Sequence, residues 1–183
     1  MRRFLDGLYL AAGYFAAFFL VVMFVIMLSL SVGRLSWIKI NIPAGDDFAA
    51  WSMAAMSFLG LAHTFKSGEM IRVGLLIERF SGRTRHAFEI FAHLVGLIFI
   101  VYFAWAAWRF IALSHMLNDM SQGVVAVPLW IPQLGVFFGL ALLALAFVDE
   151  LIHILRGNAP SYEKPPPKTT EELLKRISEG GGV

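Results

Sequence analysis

Glu150-Leu-Ile-His153 carries the E-x-x-H spacing that puts two metal ligands one helical turn apart. A di-iron bundle needs that motif twice, with further glutamates in register, and this chain has it once. His63, His93 and His153 fall toward the same half of three different apolar runs. Two such imidazoles facing each other would be able to ligate a b-type haem axially. Glu89 and His93 stand an i,i+4 step apart, as do Asp149 and His153. Near the end of an apolar helix, such groups pair with neighbouring helices. No charged residue falls at the middle of any apolar run. A carrier that moves an ion across a bilayer ordinarily has one there, or a broken helix. The chain has no cysteine, so no disulfide or thiolate metal site. These residues predict no catalytic site, no substrate site and no metal, and the haem is the one cofactor reading they leave.

The elements that would position them are membrane helices. Of 183 residues, 58% are hydrophobic and 15% charged, where a soluble domain has about 25% charged residues. That is too little polar surface to cover a soluble globule. Four apolar runs, at about 8–32, 48–65, 87–113 and 129–155, are each read as a transmembrane helix. The first is far longer than the ~7–15-residue core of a signal peptide, and reads as an uncleaved anchor. The second is rich in small residues (Ala50, Ala54, Ser57, Gly60), which let helix backbones approach closely. Pro132 falls in the first turn of the fourth, where its missing N–H costs nothing. Gly135 and Gly139, a G-x-x-x-G pair, are candidates for close helix packing, either between this chain's own helices or against a partner helix. The fold expected is all-α: an integral membrane four-helix bundle over residues 1–156. A Pro-rich tail with a short helix follows at 157–183.

Between the second and third spans lies KSGEMIRVGLLIERFSGRTR, residues 66–85, with five of the chain's 15 Lys+Arg. Val73, Leu76, Ile77 and Phe80 recur at helical spacing. That predicts an amphipathic helix over about 70–80, lying at the membrane surface. Arg72, Arg79, Arg83 and Arg85 would hold that edge to lipid phosphates. Two more basic residues stand at the N-terminus and five from Arg156 on, so twelve lie on the side of the termini, with Arg34 and Lys39 on the other and Arg109 inside the third span. The positive-inside rule makes the twelve-charge side cytoplasmic. Trp37, Trp51, Trp105, Trp108 and Trp130 fall near the opposite side, as interfacial tryptophan does. Trp105, Trp108, Trp130 and a snorkelling Arg109 are the expected anchors there.

With those residues in place, the chain resembles the Q-type small membrane subunit of tripartite ATP-independent periplasmic transporters. The likeness covers nearly all of residues 3–155. It rests on Phe58-Leu59-Gly60, then Ser67-Gly68-Glu69-Met70-Ile71-Arg72-Val73 with Arg83 and Arg85, then Val127-Pro128-Leu129-Trp130 and Gly135. The family often has His where Met70 stands and Asp where Gly74 stands. The resemblance implies a non-enzymatic scaffold in the bacterial inner membrane, with both termini cytoplasmic. It also implies sodium-coupled uptake of organic acids, with the substrate and sodium sites in a large, M-type membrane subunit. That subunit and a periplasmic substrate-binding protein would be the partners, beside membrane lipids and no nucleic acid. The rival expectation, carried by the histidines, is a haem b-binding membrane anchor of an electron-transfer complex.

Overall fold

Backbone polar groups in a hydrocarbon layer must be satisfied within their own segment, so apolar runs of this length become helices. The computed structural model describes residues 2–34, 43–67 and 83–156, with side chains from residue 5 and, in the third helix, from residue 87. Among the described residues there are four helices: α1, Arg2–Gly33; α2, Gly45–Ser67; α3, Arg83–Met116; and α4, Trp130–Leu155. Each is long and apolar enough to cross a membrane. The shortest, with 23 residues, extends about 35 Å at 1.5 Å per residue. The expected surface helix at 70–80, with Arg72 and Arg79, lies outside the described residues, as do Trp37 and the tail. Arg83 and Arg85 fall in the first turn of α3.

Local chemistry sets several helix features. Ala44 has a positive φ of 57° just before α2. Asp46 and Asp47 then lie in the first turn of α2, where carboxylates suit the positive end of the helix dipole. Pro132 sits in the first turn of α4, where a missing donor is harmless. Hydroxyls inside the spans turn back on their own helix. Ser52 Oγ donates to the Phe48 carbonyl at 2.8 Å, and Ser57 Oγ to that of Met53 at 2.8 Å. Thr64 Oγ1 donates to Gly60 O at 3.1 Å. An i−4 bond of this kind removes the cost of a polar group in an apolar layer.

The helices pack side by side in the order α1, α2, α4, α3. The bundle is therefore an open row, with α2 and α4 in the middle and α1 and α3 at the edges. Composition follows position. α2 is the least apolar of the four and the most buried, whereas almost none of the apolar window of α1 is covered by protein. The core collects where three helices meet, with Tyr9 of α1, Ala62 and Phe65 of α2, and Leu143 and Ala146 of α4. The Phe147 ring of α4 stacks on Phe65 of α2 with centroids 4.2 Å apart, and α3 joins through Ile100 and through Gly96, which lies against Phe147.

The glycine pair of α4 works inside the chain. A Cβ on Gly139 would run into the backbone carbonyl of Phe58, and one on Gly135 would come within 3.0 Å of the Ala55 Cβ. Both glycines therefore face α2. Of the two packings expected of the pair, within the chain or on a partner helix, the contact within the chain is with α2.

Candidate functional site

Two polar groups mark the ends of the row. At the end holding the start of α1 and the close of α2, Lys66 reaches across to α4. Its Nζ lies 2.7 Å from Asp149 Oδ2 and 3.2 Å from Glu150 Oε2. Glu150 is fully buried, and the Lys66 and Asp149 side chains are 17% and 16% exposed. A charge this deep persists only with a close partner, so the ammonium and carboxylates fasten α2 to α4. Tyr9 of α1 lies against the same end, buried, its hydroxyl without a hydrogen-bond partner among the described residues. With Asp6, His63, Lys66 and Ser67 it borders a cavity of about 270 Å³.

His63, His93 and His153 each have different neighbours. His63 packs on Gly13 of α1, where an added Cβ would meet its ring at 3.0 Å. His93 is buried in α3, its Nδ1–H donating to the Glu89 carbonyl at 2.8 Å. Its ring lies beside Phe65 and Phe147, at 6.3 and 5.8 Å between centroids. His63 and Phe65 are two residues apart, about 200° around α2. His63 and His93 thus stand on opposite sides of that helix. His153 lines a separate groove with Leu5, Asp149 and Arg156. His63 and His93 therefore do not face each other across a shared gap, and the haem reading finds no support among the described residues. Glu150 is directed to Lys66 rather than to a metal. Among the described residues no three His, Asp or Glu come together as a metal site.

At the other end, four of the five tryptophans lie in the half away from Lys66: Trp51 in the second turn of α2, Trp105 and Trp108 in α3, and Trp130 opening α4. The Arg109 guanidinium lies over the Trp105 ring, 5.2 Å from its centroid. Trp108 packs on Phe137, and Trp130 edge-on to His115. A second polar group joins α3, α4 and the loop between them. Gln133 Nε2 donates to the buried Ser114 Oγ at 3.1 Å, and Ser114 Oγ lies 3.4 Å from Asp119 Oδ2.

Lys66, Tyr9, Ser114 and Gln133 do not stand out in the sequence. Lys66 follows directly on an apolar run and opens a basic stretch, so it counts there as an orientation charge. The signal that would find it is topological: four alternating spans bring the ends of the second and fourth to one side. A lysine at one such end and two acids at the other are then in reach.

The arrangement links α2 to α4 at one end of the row and α3 to α4 at the other. The family model described as "Tripartite ATP-independent periplasmic transporters, DctQ component" matches residues 22–157. No curated protein matches the chain.

Proposed function

This chain belongs to the DctQ-component family of the tripartite ATP-independent periplasmic transporters, and from that premise we propose that it is a scaffold. It anchors a large, M-type transport subunit in the inner membrane, and that subunit moves organic acids with sodium. Family membership makes it one component of a three-part transporter. The scaffold role is supported chiefly by where its charges lie: Lys66, Asp149 and Glu150 are spent on each other at a helix end. A subunit carrying cargo needs groups that open toward a midplane path. The open row of helices fits the same reading. The edge helices α1 and α3 offer long apolar faces, including Phe15, Phe18, Ile98 and Phe99, which lipid or a second membrane protein can cover.

Orientation follows from the charges. Twelve of 15 Lys+Arg lie toward the termini, which assigns that side to the cytoplasm. Arg72, Arg79, Arg83 and Arg85 hold the cytoplasmic edge to lipid phosphate. Trp105, Trp108, Arg109 and Trp130 hold the outer one, where a periplasmic substrate-binding protein delivers its cargo. The test is co-expression with a large, M-type subunit from the same source, followed by purification and uptake measurements in vesicles. The expected result is a stable two-subunit complex that takes up substrate only when the binding protein is added. Uptake by this chain alone would overturn the scaffold reading.

A further inference from the structure

α4 has two working faces toward its C-terminal end. Leu143, Ala146, Glu150 and Ile154 are buried on the inner one. A second stripe, 145, 148, 149, 152, 153 and 156, follows the i, i+3, i+4 spacing of one helix side. With Leu5 of α1, that stripe lines an open groove of about 290 Å³. α1 and α4 each pack on α2, so the groove runs between two helices that share a neighbour. Its character changes along its length. Leu145, Val148 and Ile152 make it apolar, and they stay 48%, 39% and 44% exposed. Asp149, His153 and Arg156 make it polar toward the end where α4 stops.

The charges at that end are not equivalent. The Asp149 carboxylate is held by Lys66 Nζ at 2.7 Å, and Glu150 meets the same ammonium from the buried face. Arg156 is exposed and, among the described residues, has no carboxylate at ion-pair distance. Its backbone is fixed, because its N–H closes the last turn on the Ile152 carbonyl at 3.2 Å. The uncommitted charge at the groove mouth is therefore a guanidinium, whose planar fork matches phosphate oxygens. From Leu145 to Arg156 the groove follows α4 for about 16 Å, roughly half of a ~30 Å hydrocarbon core. It is thus apolar over one leaflet and cationic at headgroup level. That match is to a phospholipid, phosphate to Arg156 and acyl chain to Leu145, Val148 and Ile152.

We infer that the groove between α1 and α4 binds one anionic phospholipid from the leaflet on the side of the termini. A basic groove between membrane helices is the kind of site that takes an anionic headgroup. The Asp149 carboxylate, taken by Lys66, offers little to a headgroup ammonium, so an anionic lipid is favoured over a zwitterionic one. The bound lipid joins α1 to α4 where the two otherwise share α2, and its occupancy stabilises the bundle by mass action. This inference goes beyond the scaffold reading and does not rest on it, because the site is built from this chain's own helices.

The test uses the full chain in mild detergent, with phosphatidylglycerol or phosphatidylcholine of the same acyl chains added. Native mass spectrometry reads the bound lipid, and a thermal melt reads its effect. One phosphatidylglycerol is expected to stay bound and to raise the melting temperature, with phosphatidylcholine binding at least tenfold more weakly. Arg156→Gln is expected to weaken phosphatidylglycerol binding at least tenfold and, without lipid, to melt as wild type. Ile152→Trp, which fills the groove, is expected to weaken both lipids. Arg109→Gln, at the far end of the row, is expected to leave the bound lipid in place. Equal affinity for the two lipids overturns the site, as does an Arg156→Gln chain that binds phosphatidylglycerol like wild type. An equal loss in Arg109→Gln overturns it too, by showing attraction to any cation. Loss of the lipid when a large subunit co-purifies also overturns it, by giving the groove to that subunit.

Discussion

Lys66 is one ammonium facing two carboxylates on a helix 83 residues further along. Its worth comes from where the acids are. Glu150 is fully buried, and removing the cation leaves charge in a medium that cannot solvate it. Lys66→Met should therefore destabilise the detergent-solubilised chain by about 3 kcal/mol, the usual cost of breaking a buried pair from one side. Adding Glu150→Gln should return part of that loss, because the second change removes a stranded charge. A thermal melt of wild type, both single variants and the double variant measures the coupling. Strictly additive costs would show that the pair does not act as a unit. Arg109 makes the opposite case. Its guanidinium lies over an exposed tryptophan, and Arg109→Ala should cost only about 0.5–1 kcal/mol in the same melt. The sequence makes the Arg109 contact legible, because the ring stands one turn away on the same helix. It hides the Lys66 contact, because only the packing of two distant helix ends creates it.

The helices themselves are legible as elements, and their neighbours are not. Length and apolarity mark four spans, yet α1 runs from Arg2, six residues before its apolar run. A helix continues into the headgroup layer after its hydrophobic signal stops. The G-x-x-x-G pair is equally visible, but nothing in its spacing says which helix it meets. The structure gives it to α2, and the two glycines differ in what they touch. Gly139 abuts the Phe58 backbone, which can move only if a whole helix moves. Gly135 abuts the Ala55 side chain, with its Cβ 3.0 Å from where a new methyl would stand. Gly139→Ala should therefore lower stability by about 1–3 kcal/mol, as overpacking does, and Gly135→Ala by clearly less. Both losses should appear in the isolated chain, with no large subunit present. A Gly139→Ala chain that melts like wild type alone, yet fails to assemble, would return this face to a partner.

Across the whole molecule, the open row explains why so little of the chain is interior. α2 and α4 share their sides with neighbours, and α1 and α3 each spend one side on protein and leave the rest to the surroundings. That order of packing was not readable, since four alternating spans can close into a ring as easily as they line up. The charge asymmetry was readable, and it is the ground for the orientation proposed above. With twelve basic residues on the side of the termini against two on the other, orientation has a strong bias. The chain's lack of cysteine makes the test clean. Gln122→Cys lies in the α3–α4 loop, an exposed position beside Gly123, and Ser161→Cys lies in the tail. A membrane-impermeant maleimide should label the Gln122→Cys chain in spheroplasts and the Ser161→Cys chain only after lysis. The reverse pattern would turn the row over and put the tryptophan end in the cytoplasm.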